Sequence, residues 1–314
     1  LKYLLITLLA TLLIHSRELT PIATLKASGI VSDIVEDKGY LYVATDSGVV
    51  DVIDLTTQKI TKQIHFDPIV RSDDLITQTR IHSIDRFGGK TLMVTSAANA
   101  YRHVWVEQNG TLTKVIDAKK HKMPKCAFFD KEGKIVLGTF GSDIMRYDTA
   151  ESFSLYERHI SESTMGGMAL NKKREKMAIS DESGRVQLIE INSSKVVQEF
   201  DSQHVDNIYR VAYRGNIIIT AGQDRRVGVY IGKERAYHIK SDFLVYSVAL
   251  SPSGEKALYS SGTEHHLQLF NPATGMKGDK LVGHQATPNK ILFITEKAII
   301  SAGDEETVYF WMLP

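Results

Sequence analysis

Cysteine is all but missing from the 314-residue sequence. Cys126 stands alone, so no internal disulfide and no Cys-cluster metal or iron–sulfur site can form. The absence of C-x-x-C-H excludes covalent c-type haem. A surplus of one charge sign is missing too: 38 Lys and Arg face 37 Asp and Glu, for a formal charge of +1. Nucleic-acid and membrane-surface binders carry a basic excess or stripe, and the short run Lys119–Lys120–His121–Lys122 reads as a solvated turn. There is no Gly-x-Ser-x-Gly nucleophile elbow and no Gly-rich loop leading into Lys-Ser or Lys-Thr. What is present is the composition of a folded chain, 43% hydrophobic and 24% charged.

The one long apolar run lies at the start. Lys2 precedes Leu4 to Ile14, and Ser16 is followed by Arg17–Glu18. A charge, a short apolar core and a small-residue exit make a secretory signal, too short to span a bilayer comfortably, which takes about 20 residues. An uncleaved anchor is the rival reading, because Ile14–His15–Ser16 is only a fair cleavage site. The expectation is a signal over residues 1–16, an exported and periplasmic product, and no membrane span beyond that segment.

One ten-residue window recurs seven times: a small residue, a polar turn, alternating apolar positions, then a large apolar or aromatic residue. The copies start at Ala44, Ser96, Gly138, Ser180, Ala221, Ser261 and Ala302, spaced by 52, 42, 42, 41, 40 and 41 residues. Each reads as two strands joined by a Gly/Asp/Ser/Asn turn, as in Ala221 to Tyr230. A turn upstream, such as Ser251–Pro252–Ser253–Gly254, and a polar strand downstream, such as Val196 to Phe200, bring the unit to four strands. Four strands every 40 to 45 residues is a propeller blade; helical and leucine-rich solenoids fail because helical periodicity is absent. The fold class is therefore all-β, a seven-bladed WD40-like propeller over residues 17–314. The seventh unit ends after its third strand, so the strand around Ile22–Ala27 is expected to supply the fourth and close the ring, removing two raw sheet edges.

Over residues 22–314 the register resembles that of WD40 repeats, although no blade keeps both letters of Trp-Asp. Gly-His survives at Gly283–His284, with a relative at Gln203–His204. The resemblance implies that such a His bonds through a Ser or Thr towards the Trp position, with an acid six residues before that position locking the turn. That gives His204, Thr220 and Asp224 with Tyr230, and His284, Ser301 and Glu305 with Trp311, all structural. Blades five and six also resemble the NapL-type accessory proteins of periplasmic nitrate reductase systems. The stretches concerned are Asn207–Ile208–Tyr209–Arg210, Ala221 to Tyr230, Lys240 to Tyr246, and Ser251–Pro252–Ser253–Gly254. This implies a non-enzymatic factor supporting assembly, maturation or electron supply of the reductase, with its components as protein partners.

No catalytic residue, metal set or cofactor is expected. Cys126 reads as a buried, inert thiol. His121, Met123 and Cys126 form a soft cluster without a fourth partner, and His265–His266 point to opposite faces of a strand. An enzyme of hydrolase or lactonase type at the channel mouth is the alternative. Against it, the innermost strands are expected to begin with Ile34, Ile84, Ala127, Met168, Val211, Val248 and Ile291 rather than with carboxylates. What remains is a surface on the face that gathers the window turns and blade connections. There Tyr209, Arg210, Arg225 and Arg226, with Asp242 and Phe243, form the candidate partner site, since Arg and aromatics dominate interface energetics. The connection Asp67 to Arg80 is about ten residues longer than its counterparts, which suits either function or a neutral insertion. The protein is expected to be a monomer.

Overall fold

The computed structural model describes residues 16–71 and 75–314. The signal expected over residues 1–16 therefore lies, except for Ser16, outside the described residues. Among the described residues seven blades, each built on four antiparallel strands, follow one another along the chain, with one further two-stranded hairpin. Blade one, for example, is Val31–Asp37, Tyr40–Thr45, Val49–Asp54 and Lys59–His65, and blade five is Ile208–Arg214, Ile217–Gly222, Arg226–Ile231 and Arg235–Lys240. Blade seven takes Pro288–Phe293, Ala298–Gly303 and Thr307–Met312 from the end of the chain and Ala23–Lys26 from its start, with Ala23 opposite Phe310. The N-terminal strand thus closes the ring.

An addition was not legible in the repeat. Glu18–Leu19 pairs in parallel with Lys277–Leu281, as a fifth strand on blade six. Arg17 is bound to Asp279 there at 3.0 Å. The start of the described chain therefore spans two blades before blade one begins.

The core lies between the blades. Seven buried apolar clusters occur, one at each interface of neighbouring blades. Ile218 packs towards blade four and Ile219 towards blade six. This is why the second strands read as continuous apolar runs: side chains alternate between faces, and here both faces are buried.

The innermost strands share a further irregularity. In six blades a β-bulge interrupts pairing near the start of the strand. In blade five Ile208 pairs with Gly222 and Arg210 with Ala221, leaving Tyr209 extra. Ser32, His82, Lys125 and Asn289 hold the same place, and Gly166–Gly167 the corresponding one in blade four. A bulge bends its strand and re-aims the side chains around it. Six of the seven innermost strands consequently begin three residues before the apolar positions read from sequence, as at Val31 ahead of Ile34, and only that of blade six begins at the expected Val248. Those seven apolar residues each pack in a different interblade cluster.

Candidate functional site

Strand alternation places the connections between blades and the turns between second and third strands on one face of the ring. Around blades five and six this face carries an aromatic group. The Tyr209 and Tyr246 rings stack with centroids 5.4 Å apart and planes within 9°, and Phe243 stands 6.5 Å from Tyr246. The Tyr209 hydroxyl donates to Gln223 Oε1 at 2.8 Å, tying the bulge to the neighbouring turn. Burial and the adjoining Tyr246 raise the Tyr209 pKa. Arg225, in the left-handed region at φ 62°, is exposed, and its carbonyl accepts the Ser241 N–H at 2.8 Å. Asp242 is exposed beside it.

The six residues of the expected partner site do not all share this surface. Tyr209, Arg225, Asp242 and Phe243 do. Arg226 is committed to its own loop: Nη1 donates to the Gln203 carbonyl at 3.1 Å, and Nε lies 3.7 Å from Asp224. Arg210 instead borders the central channel, because the bulge at Tyr209 takes up the surface position and shifts the alternation by one. Tyr246 was missed; its spacing from Phe243 carries no motif, and only the fold brings it to Tyr209.

The two histidine groups are assembled as hydrogen-bonded chains. His284 Nδ1 lies 3.0 Å from Glu305 Oε1, His284 Nε2 2.7 Å from Ser301 Oγ, and Trp311 Nε1 donates to Ser301 Oγ at 2.7 Å. With the carboxylate accepting, the neutral ring donates from Nδ1 and accepts the serine proton at Nε2, so every donor points one way. In blade five His204 contacts Asp224 at 3.0 Å and Thr220 at 2.7 Å. Burial lowers the pKa of both histidines despite their acidic neighbours. His204, Thr220, His284 and Ser301 are buried and the two acids half-buried, which suits a structural part.

The long connection forms a small hairpin, Ile69–Val70 against Ile76–Thr77, held at its base by Thr79 Oγ1 donating to the Asp67 carbonyl. Residues 72–74 lie outside the described part. Val70 and Ile76 are 61% and 65% exposed, so the hairpin presents apolar side chains on the same face.

The channel is a cavity of about 410 Å³. Its bordering residues include, one per blade, Asp33, Ser83, Cys126, Gly167, Arg210, Ser247 and Lys290, with Asp85 and Arg174 deeper. Carboxylates therefore do reach the channel, contrary to the reading of its strands as apolar or basic at their starts; the bulges hid them by moving the strand starts. Both carboxylates are ion-paired. Lys290 stands 2.5 Å from Asp33, and Arg174 holds Asp85 through two nitrogens at 2.7 and 2.9 Å. Burial, then the Arg210 charge, bring Lys290 down to about 8. Burial pushes the Cys126 thiol up to about 11, which removes thiolate character at neutral pH. His121 stacks on Tyr101 in the connection outside the channel. Among the described residues no three His, Cys, Asp or Glu side chains converge as a metal site, and no helix is long and apolar enough to cross a membrane.

No protein-family model matches the chain, and no curated protein matches its sequence. Solved structures do match in shape. The β-propeller domain of Cps50 (Swd1) from Myceliophteria thermophila superposes with a TM-score of 0.74 at 13% identity, over 94% of this chain and 99% of that one. A chain of the mitotic checkpoint complex gives 0.75 at 15% identity, over 94% and 95%. At such identities the likeness is one of fold, that of a seven-bladed WD40-like propeller.

Proposed function

We propose that this chain is a non-enzymatic, exported accessory protein that docks a protein partner on the face carrying Tyr209, Tyr246, Phe243, Arg225 and Asp242. The observation that carries the docking is the Tyr209–Tyr246 stack, at the surface and flanked by an exposed arginine. Aromatic and arginine side chains are the usual anchors of interfaces. Here Gln223 and the Ser241–Arg225 bond hold the surrounding loops in place, so little side-chain freedom is lost on binding. The paired state of Asp33 and Asp85 weighs against a metal-dependent propeller enzyme, which needs carboxylates free to take a cation. WD40-like propellers commonly serve as interaction scaffolds, and complex membership is part of the description of one structural neighbour. The resemblance of blades five and six to NapL-type proteins, with the signal-like start, extends the proposal to a periplasmic partner in nitrate reduction.

The test is capture of partners from periplasmic extract by the parent and by an Arg225→Ala, Phe243→Ala variant. Arg226 is left intact because it holds its own loop. Loss of a hot spot costs roughly 2 kcal/mol or more of binding, some thirtyfold in affinity, whereas exposed changes usually stay within about 0.5 kcal/mol of stability. Weaker capture with an unchanged melt is expected. Undiminished capture overturns the surface, and full-length protein confined to the cytosol overturns the export.

A further inference from the structure

The chain is nearly neutral, yet its channel is not. Six cationic side chains border the cavity, Lys125, Lys172, Arg174, Arg210, Arg214 and Lys290, against two carboxylates, Asp33 and Asp85. Two of the cations are neutralised: Lys290 by Asp33 and Arg174 by Asp85. Lys125 is spent only on a neutral acceptor, the Met165 carbonyl at 2.6 Å. Among the described residues the Arg210 side chain makes neither a hydrogen bond nor an ion pair, although its backbone pairs with Ala221 in the sheet. A guanidinium has five donors in a rigid fork, and here they are left to solvent or to a ligand in the channel.

The wall beside Arg210 is close-packed. Blade four contributes Gly166–Gly167 to this level of the channel. A Cβ on Gly167 would come within 3.1 Å of Arg210 Cα, and one on Gly166 would collide with the Ile208 carbonyl at 1.8 Å. Bare backbone is therefore required here: the innermost strands of blades four and five approach backbone to backbone, and at this level blade four adds no side chain to the channel wall that Arg210 borders. Burial lowers the pKa of Lys125, and the Arg210 charge acts on it as well as on Lys290, so the three cations share one local field.

We propose that the channel between Lys125, Arg210 and Lys290 is a binding site for a small free oxyanion carrying two or more anionic oxygens, such as a phosphate, a sulfate or a short dicarboxylate. Arg210 takes it bidentately, as guanidinium pairs with carboxylate and phosphate. Lys125 adds a point charge, and the low-dielectric walls concentrate the field. The volume of about 410 Å³ is within the range of small-ligand sites and admits such an anion with water.

The experiment titrates the intact protein with sodium phosphate, sulfate and succinate by calorimetry and by thermal melts, with sodium chloride at matched ionic strength as reference. Sulfate and phosphate raise the stability of any protein by exclusion from its surface, so a rise in the parent alone decides nothing in favour of a site. The expected result is saturable binding of at least one of the three, at least about tenfold weaker in both Arg210→Gln and Lys125→Gln, as loss of a charged hydrogen bond implies. Arg225→Ala, on the outer face, binds the anion like the parent. In anion-free buffer Arg210→Gln melts no lower than the parent, because it removes repulsion and no partner; this also checks its fold. Absence of saturable binding, or binding by either channel variant that matches the parent's, overturns the site. Partner capture by Arg210→Gln stays at the parental level, so failure here is separable from failure of the docking face.

Discussion

Lys290 and Asp33 meet at 2.5 Å, joining the innermost strand of the last blade to that of the first. The same carboxylate accepts the N–H groups of Ile34 and Ile84, each at 3.0 Å, so one half-buried charge ties blades seven, one and two. The next seams repeat the device with other letters. Asp85 accepts the Phe129 N–H at 2.7 Å, and Ser247 Oγ donates to the Pro288 carbonyl at 2.6 Å. The channel wall is laced blade to blade by polar side chains, while the apolar clusters bind the blades further out.

Arg174 is the longest of these struts. It leaves a turn of blade four, donates to the carbonyls of Phe129 and Arg86, and ends on Asp85 in blade two. The Asp85 side chain is 4% exposed, so removing its partner leaves a buried, unpaired charge. Arg174→Met should cost about 3 kcal/mol or more, read as a lower melting temperature and denaturation midpoint. Lys131→Ala, which removes an exposed pair with Glu175, should move stability by less than about 1 kcal/mol. Equal effects would refute the strut.

Removal of residues 17–28 should open the ring. It uncovers Thr307–Met312 in blade seven and Lys277–Leu281 in blade six, and it removes Ser28, which binds Asp51 through both N–H and hydroxyl at 2.7 Å. Exposed strand edges template aggregation. Light scattering and thermal melts check this; a truncated chain that stays soluble and melts like the parent would count against closure by this strand.

Acid should weaken the fold through its histidines. His82 is brought down to about 3 by burial and by the Arg102 and Arg80 charges, and His204 and His284 are lowered in the same direction. The unfolded chain takes up protons near the ordinary value of 6.5 while the native rings stay neutral. Their contribution is therefore fully present above about pH 6.5 and is lost progressively as pH falls towards the native pKa values. Melting temperature should decline between about pH 7 and about pH 5, and His82→Gln should flatten that slope. A profile unchanged by the substitution would assign the acid response elsewhere.

The blade count, the closing strand and the membership of the two histidine chains were legible because each rests on spacing: a repeat near 41 residues, a missing fourth strand, and an acid six residues before an aromatic position. The channel was not. Its chemistry depends on a single extra residue in the innermost strands, and a bulge leaves no letter pattern, since Ser32, His82, Lys125, Tyr209 and Asn289 have nothing in common. A one-residue slip exchanges the two faces of a strand. For this reason Arg210 was assigned to the outer surface and Asp33 to none. Gly166–Gly167 was the one available signal, because two successive glycines in a strand mark a close backbone approach.

The crossing of the N-terminal segment from blade six to blade seven fixes an order of events during synthesis. Glu18–Leu19 and Ala23–Lys26 are among the first described residues made, yet their partners at Lys277–Leu281 and Thr307–Met312 are among the last described ones. Until those partner strands have been made, this segment has no native pairing to form, and the nascent blades have no closed ring to join. Pairings of such sequence separation are slow, and unpaired edges invite wrong neighbours meanwhile. A chain that stops short of Thr307–Met312 thus cannot close the ring, and the earliest strand waits on one of the latest.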